Sequence, residues 1–111
     1  MKDYWLVINR ETMSIEICFP DRMKNNINAC LATIHGEQQE QMLKRLQEIT
    51  EDTPPFTLSY EYFTMNVNPY YIMCDFHMFD EPISFYLYTD VIREALGEYL
   101  KEMKKLRMSA K

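Results

Sequence analysis

Asp75 and His77 stand two apart in the stretch Tyr71-Ile72-Met73-Cys74-Asp75-Phe76-His77. Residues at that spacing on a strand project from the same face. A carboxylate beside an imidazole is material for general acid–base catalysis or for metal ligation. A metal site, however, wants three or four ligands. The other histidine, His35, belongs to a different predicted element, and Cys74 projects to the face opposite His77. Ser59 can be written beside His77 and Asp75 as a nucleophilic triad, but no segment has the form of a nucleophile elbow or an oxyanion loop. With only two glycines, Gly36 and Gly97, the chain also lacks the glycine-rich loop that cradles phosphate. The expectation is a protein with no catalytic centre, no metal and no cofactor. Cys18, Cys30 and Cys74 are odd in number, widely spaced and without a CxxC pair. That pattern predicts free thiols serving as small buried hydrophobes in a reducing cytoplasm.

Charge is more informative than chemistry. The formal net charge is −5, unevenly spread. Between Arg45 and Arg93 there are eight acids (Glu48, Glu51, Asp52, Glu61, Asp75, Asp80, Glu81 and Asp90) and no lysine or arginine. Residues 101–111 reverse the sign, with Lys101, Lys104, Lys105, Arg107 and Lys111 against Glu102. Such a cluster could meet nucleic acid, but the rest of the chain repels phosphate. It reads better as the complement of a helix dipole, so no direct nucleic-acid binding is expected. No apolar run approaches the length of a membrane span, the longest near the start being Trp5-Leu6-Val7-Ile8.

At 111 residues the chain has the size of a single domain, taken as residues 1–111. Residues 4–8 and 14–19 read as a hairpin. Ile15, Ile17 and Phe19 alternate with polar or small residues, whereas Tyr4 to Ile8 are apolar on both faces and are expected inside a sheet. Pro20 ends the second strand, and Asp21 can cap the helical segment after it. Met23, Ile27, Leu31 and Ile34 recur at helical spacing, although Asn25, Asn26 and Asn28 weaken the propensity there. Gly36 either stops that helix or is absorbed in a longer one. Residues 37–50 form a stronger amphipathic helix, closed by Pro54 and Pro55. Three strands come next, over 56–65, 71–79 and 83–89, joined by turns at Asn66–Pro69 and Asp80–Pro82, which implies an antiparallel meander. A closing helix from about 90 to 108 carries the stripe Ile92, Leu96, Tyr99, Met103 and Leu106. That stripe must be covered by the sheet or by a second copy of the chain, and Gly97 within it suggests close packing. The fold class is α+β: one antiparallel sheet made of an N-terminal hairpin plus a three-stranded meander, with a central helical segment and a C-terminal helix packed on one face.

If the aliphatic faces of the late strands point inward, the opposite face gathers Ser59 and Glu61, Asp75 and His77, then Ser84, Tyr86 and Tyr88. Carboxylates beside tyrosines form a contact surface, because a phenol offers large area and a polar tip with few rotatable bonds. The leading expectation is a small acidic, non-catalytic binding or inhibitor protein. Glu61, Asp75, His77, Tyr86 and Tyr88 would engage a basic surface of another macromolecule, such as a nuclease or other nucleic-acid-handling protein. Immunity proteins and phage or plasmid anti-defence proteins meet the same physical description. One alternative is a small-ligand domain or minor enzyme with a pocket near Asp75 and His77. Another is a homodimeric module joined through Ile92, Leu96, Tyr99 and Met103. Residues 83–103 look at first like the strand and first helix of a ribbon-helix-helix repressor. That family's strand carries polar or basic groups into the major groove. Here the strand is aromatic and hydroxylic, so no family is assigned.

Overall fold

The computed structural model describes residues 3–78 and 80–109. The architecture is α+β. Strands β1 (Trp5–Asn9) and β2 (Ser14–Cys18) form an antiparallel hairpin, with Trp5 opposite Cys18 and Asn9 opposite Ser14. Met13 takes a left-handed conformation (φ 56°) in its loop. A 3-10 turn over Arg22–Asn26 leads into α1 (Ile27–Ala32), then α2 (Gly36–Gln47). Asp21 caps the 3-10 turn as expected, its carboxylate accepting the Met23 N–H at 3.0 Å. Gly36 falls outside the shorter helix and opens the longer one, and the Gln38 side chain accepts the His35 N–H at 3.0 Å just before it. A four-stranded antiparallel sheet runs in simple sequence order, from β3 (Phe56–Ser59) and β4 (Phe63–Val67) to β5 (Tyr71–Phe76) and β6 (Ile83–Tyr88). The chain closes with α3 (Thr89–Ser109).

Three expectations change. The strand read over 56–65 is two strands, so the meander has four members. The Tyr60 N–H donates to the Phe63 carbonyl at 2.9 Å and turns the chain back on itself. The hairpin β1–β2 forms its own two-stranded sheet instead of joining the meander. Within it, β1 is an edge strand, largely exposed, and not an interior one. Phe79, read at the end of the second of the three late strands, and Lys111 of the basic cluster lie outside the described residues.

One core serves both sheets. Phe63, Met65, Val67, Ile72, Cys74, Phe76, Phe85 and Leu87 point inward from β4, β5 and β6, and Ile15 and Ile17 do so from β2. Helices α1, α2 and α3 cover them, through Cys30 and Leu31, Met42 and Leu46, and Ile92 and Leu96. The N-terminal half of α3 lies near the C-terminal end of α2, where the Arg93 guanidinium donates to the Leu46 and Ile49 carbonyls at 3.3 and 3.4 Å. The Leu46 carbonyl also accepts the Ile49 N–H at 3.3 Å, and both carbonyls lie at or just past the end of α2, where a cation suits the helix dipole. Ile92, Leu96 and Tyr99 are buried in this core and Met103 is half-buried. The chain itself therefore covers most of the stripe considered as a dimer seam. Gly97 is not a point of close approach, since a methyl group built there would meet no atom within 4 Å.

Candidate functional site

The helices pack on the inner face of the four-stranded sheet and leave much of its outer face open. Period-2 alternation decides which side chains that face carries. From β5 come Tyr71, Met73 and Asp75. From β6 come Ser84, Tyr86 and Tyr88. From β3 and β4 come Thr57, Ser59, Thr64 and Asn66. Register then fixes the neighbours: Tyr71 lies opposite Tyr88, Met73 opposite Tyr86 and Asp75 opposite Ser84. The Ser84 hydroxyl donates to the Asp75 carboxylate at 2.6 Å. On the other flank Thr57 donates to the Asn66 amide oxygen at 2.9 Å.

Aromatic rings dominate this surface. Tyr71, Tyr86 and Tyr88 are 46%, 55% and 60% exposed. Tyr71 and Tyr86 meet edge to face, with ring centroids 5.7 Å apart and planes at 73°. Such a pair fixes both rings beyond what area burial alone supplies. The two rings form a ridge between two hollows. One, of about 650 Å³, runs along β6 to Met23 and Lys24 of the 3-10 turn and its capping Asp21. The other, of about 380 Å³, lies over Thr57, Asn66 and Met73. The Lys24 ammonium sits 4.6 Å from the centre of the Tyr88 ring, a cation–π contact that occupies this base.

Asp75, Tyr86 and Tyr88 thus share the open face. Glu61 does not lie on a strand; it is exposed in the tight turn between β3 and β4. His77 sits just past β5, and its N–H donates to the Tyr62 carbonyl at 2.9 Å beside that turn. Glu61 and His77 therefore mark one end of the sheet, and Asp75 is the carboxylate on the β-ladder itself. Asp75 is half-buried and bonded to Ser84, while His77 is exposed. Ser59 is on β3, two strands from Asp75. Among the described residues no three histidine, cysteine or acidic groups come together as a metal site. Tyr71 and Met73 also belong to the site, beyond the residues singled out from the sequence. Their parity with Asp75 was the available signal.

The buried titratable groups lie elsewhere. Burial pushes the Cys30 thiol up to about 12, and burial reinforced by Cys30 and Asp75 raises Cys74 as well. Burial raises the Tyr4 phenol, with Glu98 and Glu94 adding to the effect; its hydroxyl donates to Glu94 at 3.3 Å. Comparison with known proteins finds no family model, no curated protein and no solved structure that matches this chain.

Proposed function

We propose that this chain is a small non-catalytic binding protein, and that its outer sheet face engages a basic surface of another macromolecule. The observation that carries the reading is the bare face itself, with Tyr71, Tyr86 and Tyr88 exposed together beside Asp75. Exposed tyrosines backed by a rigid sheet present contact area at little entropic cost. The surrounding charge is mostly negative: no lysine or arginine occurs between Arg45 and Arg93, and Glu61, Asp80 and Glu81 flank the sheet in exposed loops, with Lys24 against Tyr88 as the opposing cation. Negative potential of this kind speeds encounter with a cationic partner and suits occupation of a phosphate-binding surface. A nuclease or another nucleic-acid-handling protein is the class of partner with such a surface. The reading places the protein in the cytoplasm, where its three free thiols stay reduced.

The test is capture of basic proteins on the immobilised chain across a salt series. Binding should fall steeply as salt rises. It should fall by at least about tenfold for the doubly substituted Tyr86→Ala, Tyr88→Ala chain, because aromatic anchors carry most of the energy of such contacts. Both side chains are exposed, so the fold should survive the change. Salt-insensitive capture, or capture indifferent to both tyrosines, would refute the reading.

A further inference from the structure

Both edges of the N-terminal hairpin need hydrogen-bond partners, and among the described residues side chains answer the β2 edge at Ile17 while none answers the β1 edge. On the β2 side, the Asn28 side chain accepts the Ile17 N–H at 2.8 Å and donates to the Ile17 carbonyl at 2.9 Å. Asn25 accepts the Phe19 N–H at 2.6 Å. Ile17 and Phe19 therefore turn their backbone groups away from β1. In an antiparallel pair the bonding direction alternates residue by residue. Ser14, Glu16 and Cys18 consequently face β1, opposite Asn9, Val7 and Trp5. The N–H and C=O groups of Leu6 and Ile8 must then point to the other edge. Among the described residues, no hydrogen bond from outside the hairpin reaches them.

The side chains of that strand repeat the anomaly. Trp5 and Val7 are 51% and 46% exposed on one face, and Ile8 is 40% exposed on the other. Free edges in natural proteins are usually protected by a charge, a proline or a bulge. Trp-Leu-Val-Ile-Asn carries neither charge nor proline.

We propose that β1 pairs with β1 of a second copy of this chain, antiparallel across a two-fold axis at Val7, to make a continuous sheet in the order β2-β1-β1-β2. The chemistry of the gap selects the occupant. A strand that fills it must offer backbone groups at alternate residues and be apolar on both faces. Among the strands of this chain β1 has that composition, and its counterpart in another copy is unpaired in the same way. With the axis at Val7, Leu6 of each copy lies opposite Ile8 of the other, and each such pair exchanges both backbone bonds. The two Val7 side chains meet in the close, non-hydrogen-bonded position, and Trp5 reaches diagonally across them. No charge lies within the paired segment. Four joined strands are also a sounder unit than a lone two-stranded ribbon. The contact is isologous and closes on itself. Its short length places it in the weak, concentration-dependent class.

This proposal is independent of the outer-face reading, and salt separates the two. Each copy carries a net charge of −5, so screening should strengthen self-association, whereas it weakens capture of a basic partner. The test is sedimentation equilibrium over a dilution series, with fluorescence of Trp5, the chain's single tryptophan, read alongside. The expected result is a monomer–dimer equilibrium in which the dimer shows blue-shifted emission that iodide quenches poorly. Val7→Lys sets two ammonium groups face to face and should weaken the dimer by at least about tenfold with far-UV circular dichroism unchanged, while Val7→Ile keeps it. Val7→Cys, made with Cys18→Ser, should oxidise to a disulfide-linked dimer, since the facing Cα atoms would lie about 4.5 Å apart. A protein that stays monomeric at its highest soluble concentration overturns the proposal. So does a dimer in which Trp5 remains as quenchable as in the monomer.

Discussion

Asn28 shows how much a single side chain can decide. In the sequence it weakens a helix, as Asn25 and Asn26 do, and that is all its type discloses. In the structure its amide satisfies both backbone groups of fully buried Ile17 and also donates to the Asn25 carbonyl at 3.0 Å. The pairing joins residues 11 apart through a turn whose path no local propensity specifies. Asn28→Ala would leave the Ile17 groups without a protein partner, at a cost of roughly 1–3 kcal/mol. Urea unfolding measures it, and a loss below about 0.5 kcal/mol would mean that water replaces the amide without penalty. The contrast with Asp75 is instructive. Its place on the outer face followed directly from its distance to Cys74 and Phe76, because strand parity is strictly local. Its partner Ser84 did not, because register between strands is set by turn geometry.

At the level of elements, periodicity located the helices and most strands, and turn chemistry decided where it stumbled. Asn66–Pro69 and Asp80–Pro82 announce turns by residue type, and both are where a strand ends or begins. Ser59-Tyr60-Glu61-Tyr62 contains no glycine, proline or asparagine, so the β3–β4 turn carried no such mark. The usable signal was a change of parity: Phe56 and Leu58 face the core at even positions, Phe63, Met65 and Val67 at odd ones. The stacking of Tyr60 on Phe63, with centroids 4.6 Å apart, supports the turn from the core side. Exposure of β1 could not be read from its composition, because an apolar strand is normally an interior one. Helix α3 yields the cleanest prediction at this scale. Gly97 stands within a 21-residue helix with open space where a methyl group would go. Gly97→Ala should therefore stabilise the protein by roughly 0.5–1 kcal/mol, chiefly by restricting the unfolded chain. A rise of a few degrees in thermal midpoint is expected, and a fall would reveal a packing role for the glycine.

For the molecule as a whole, the buried thiols and phenols act together on stability at alkaline pH. Tyr4, Cys18, Cys30, Tyr60, Cys74 and Tyr99 are all raised, each principally by burial, so every one favours its neutral form in the folded state. The sign comes from proton counting. Once pH passes the ordinary thiol value of 9.0, the unfolded chain releases protons that the folded chain still holds. The unfolded state then binds fewer protons, and the free energy of unfolding falls as pH rises. For Cys30 the loss begins near 9.0 and continues to about 12, and Cys74 extends the decline beyond that. Each pH unit in that window removes at most about 1.4 kcal/mol per fully buried thiol. Stability should consequently hold up to about pH 8 with respect to these groups and decline steeply above about pH 9. Urea midpoints at a series of pH values measure this, with Cys30→Ala as control. The variant should start less stable because of the cavity it leaves, yet lose less stability per pH unit. Alkylation supplies a second reading, since a thiolate is the reactive species. Cys30 and Cys74 should resist iodoacetamide in the folded protein at about pH 8 and react once urea unfolds it. A flat profile to about pH 10.5, or ready labelling of Cys30 of α1 in the folded chain, would show that the core admits water and that the inner face of the sheet is not sealed by the helices.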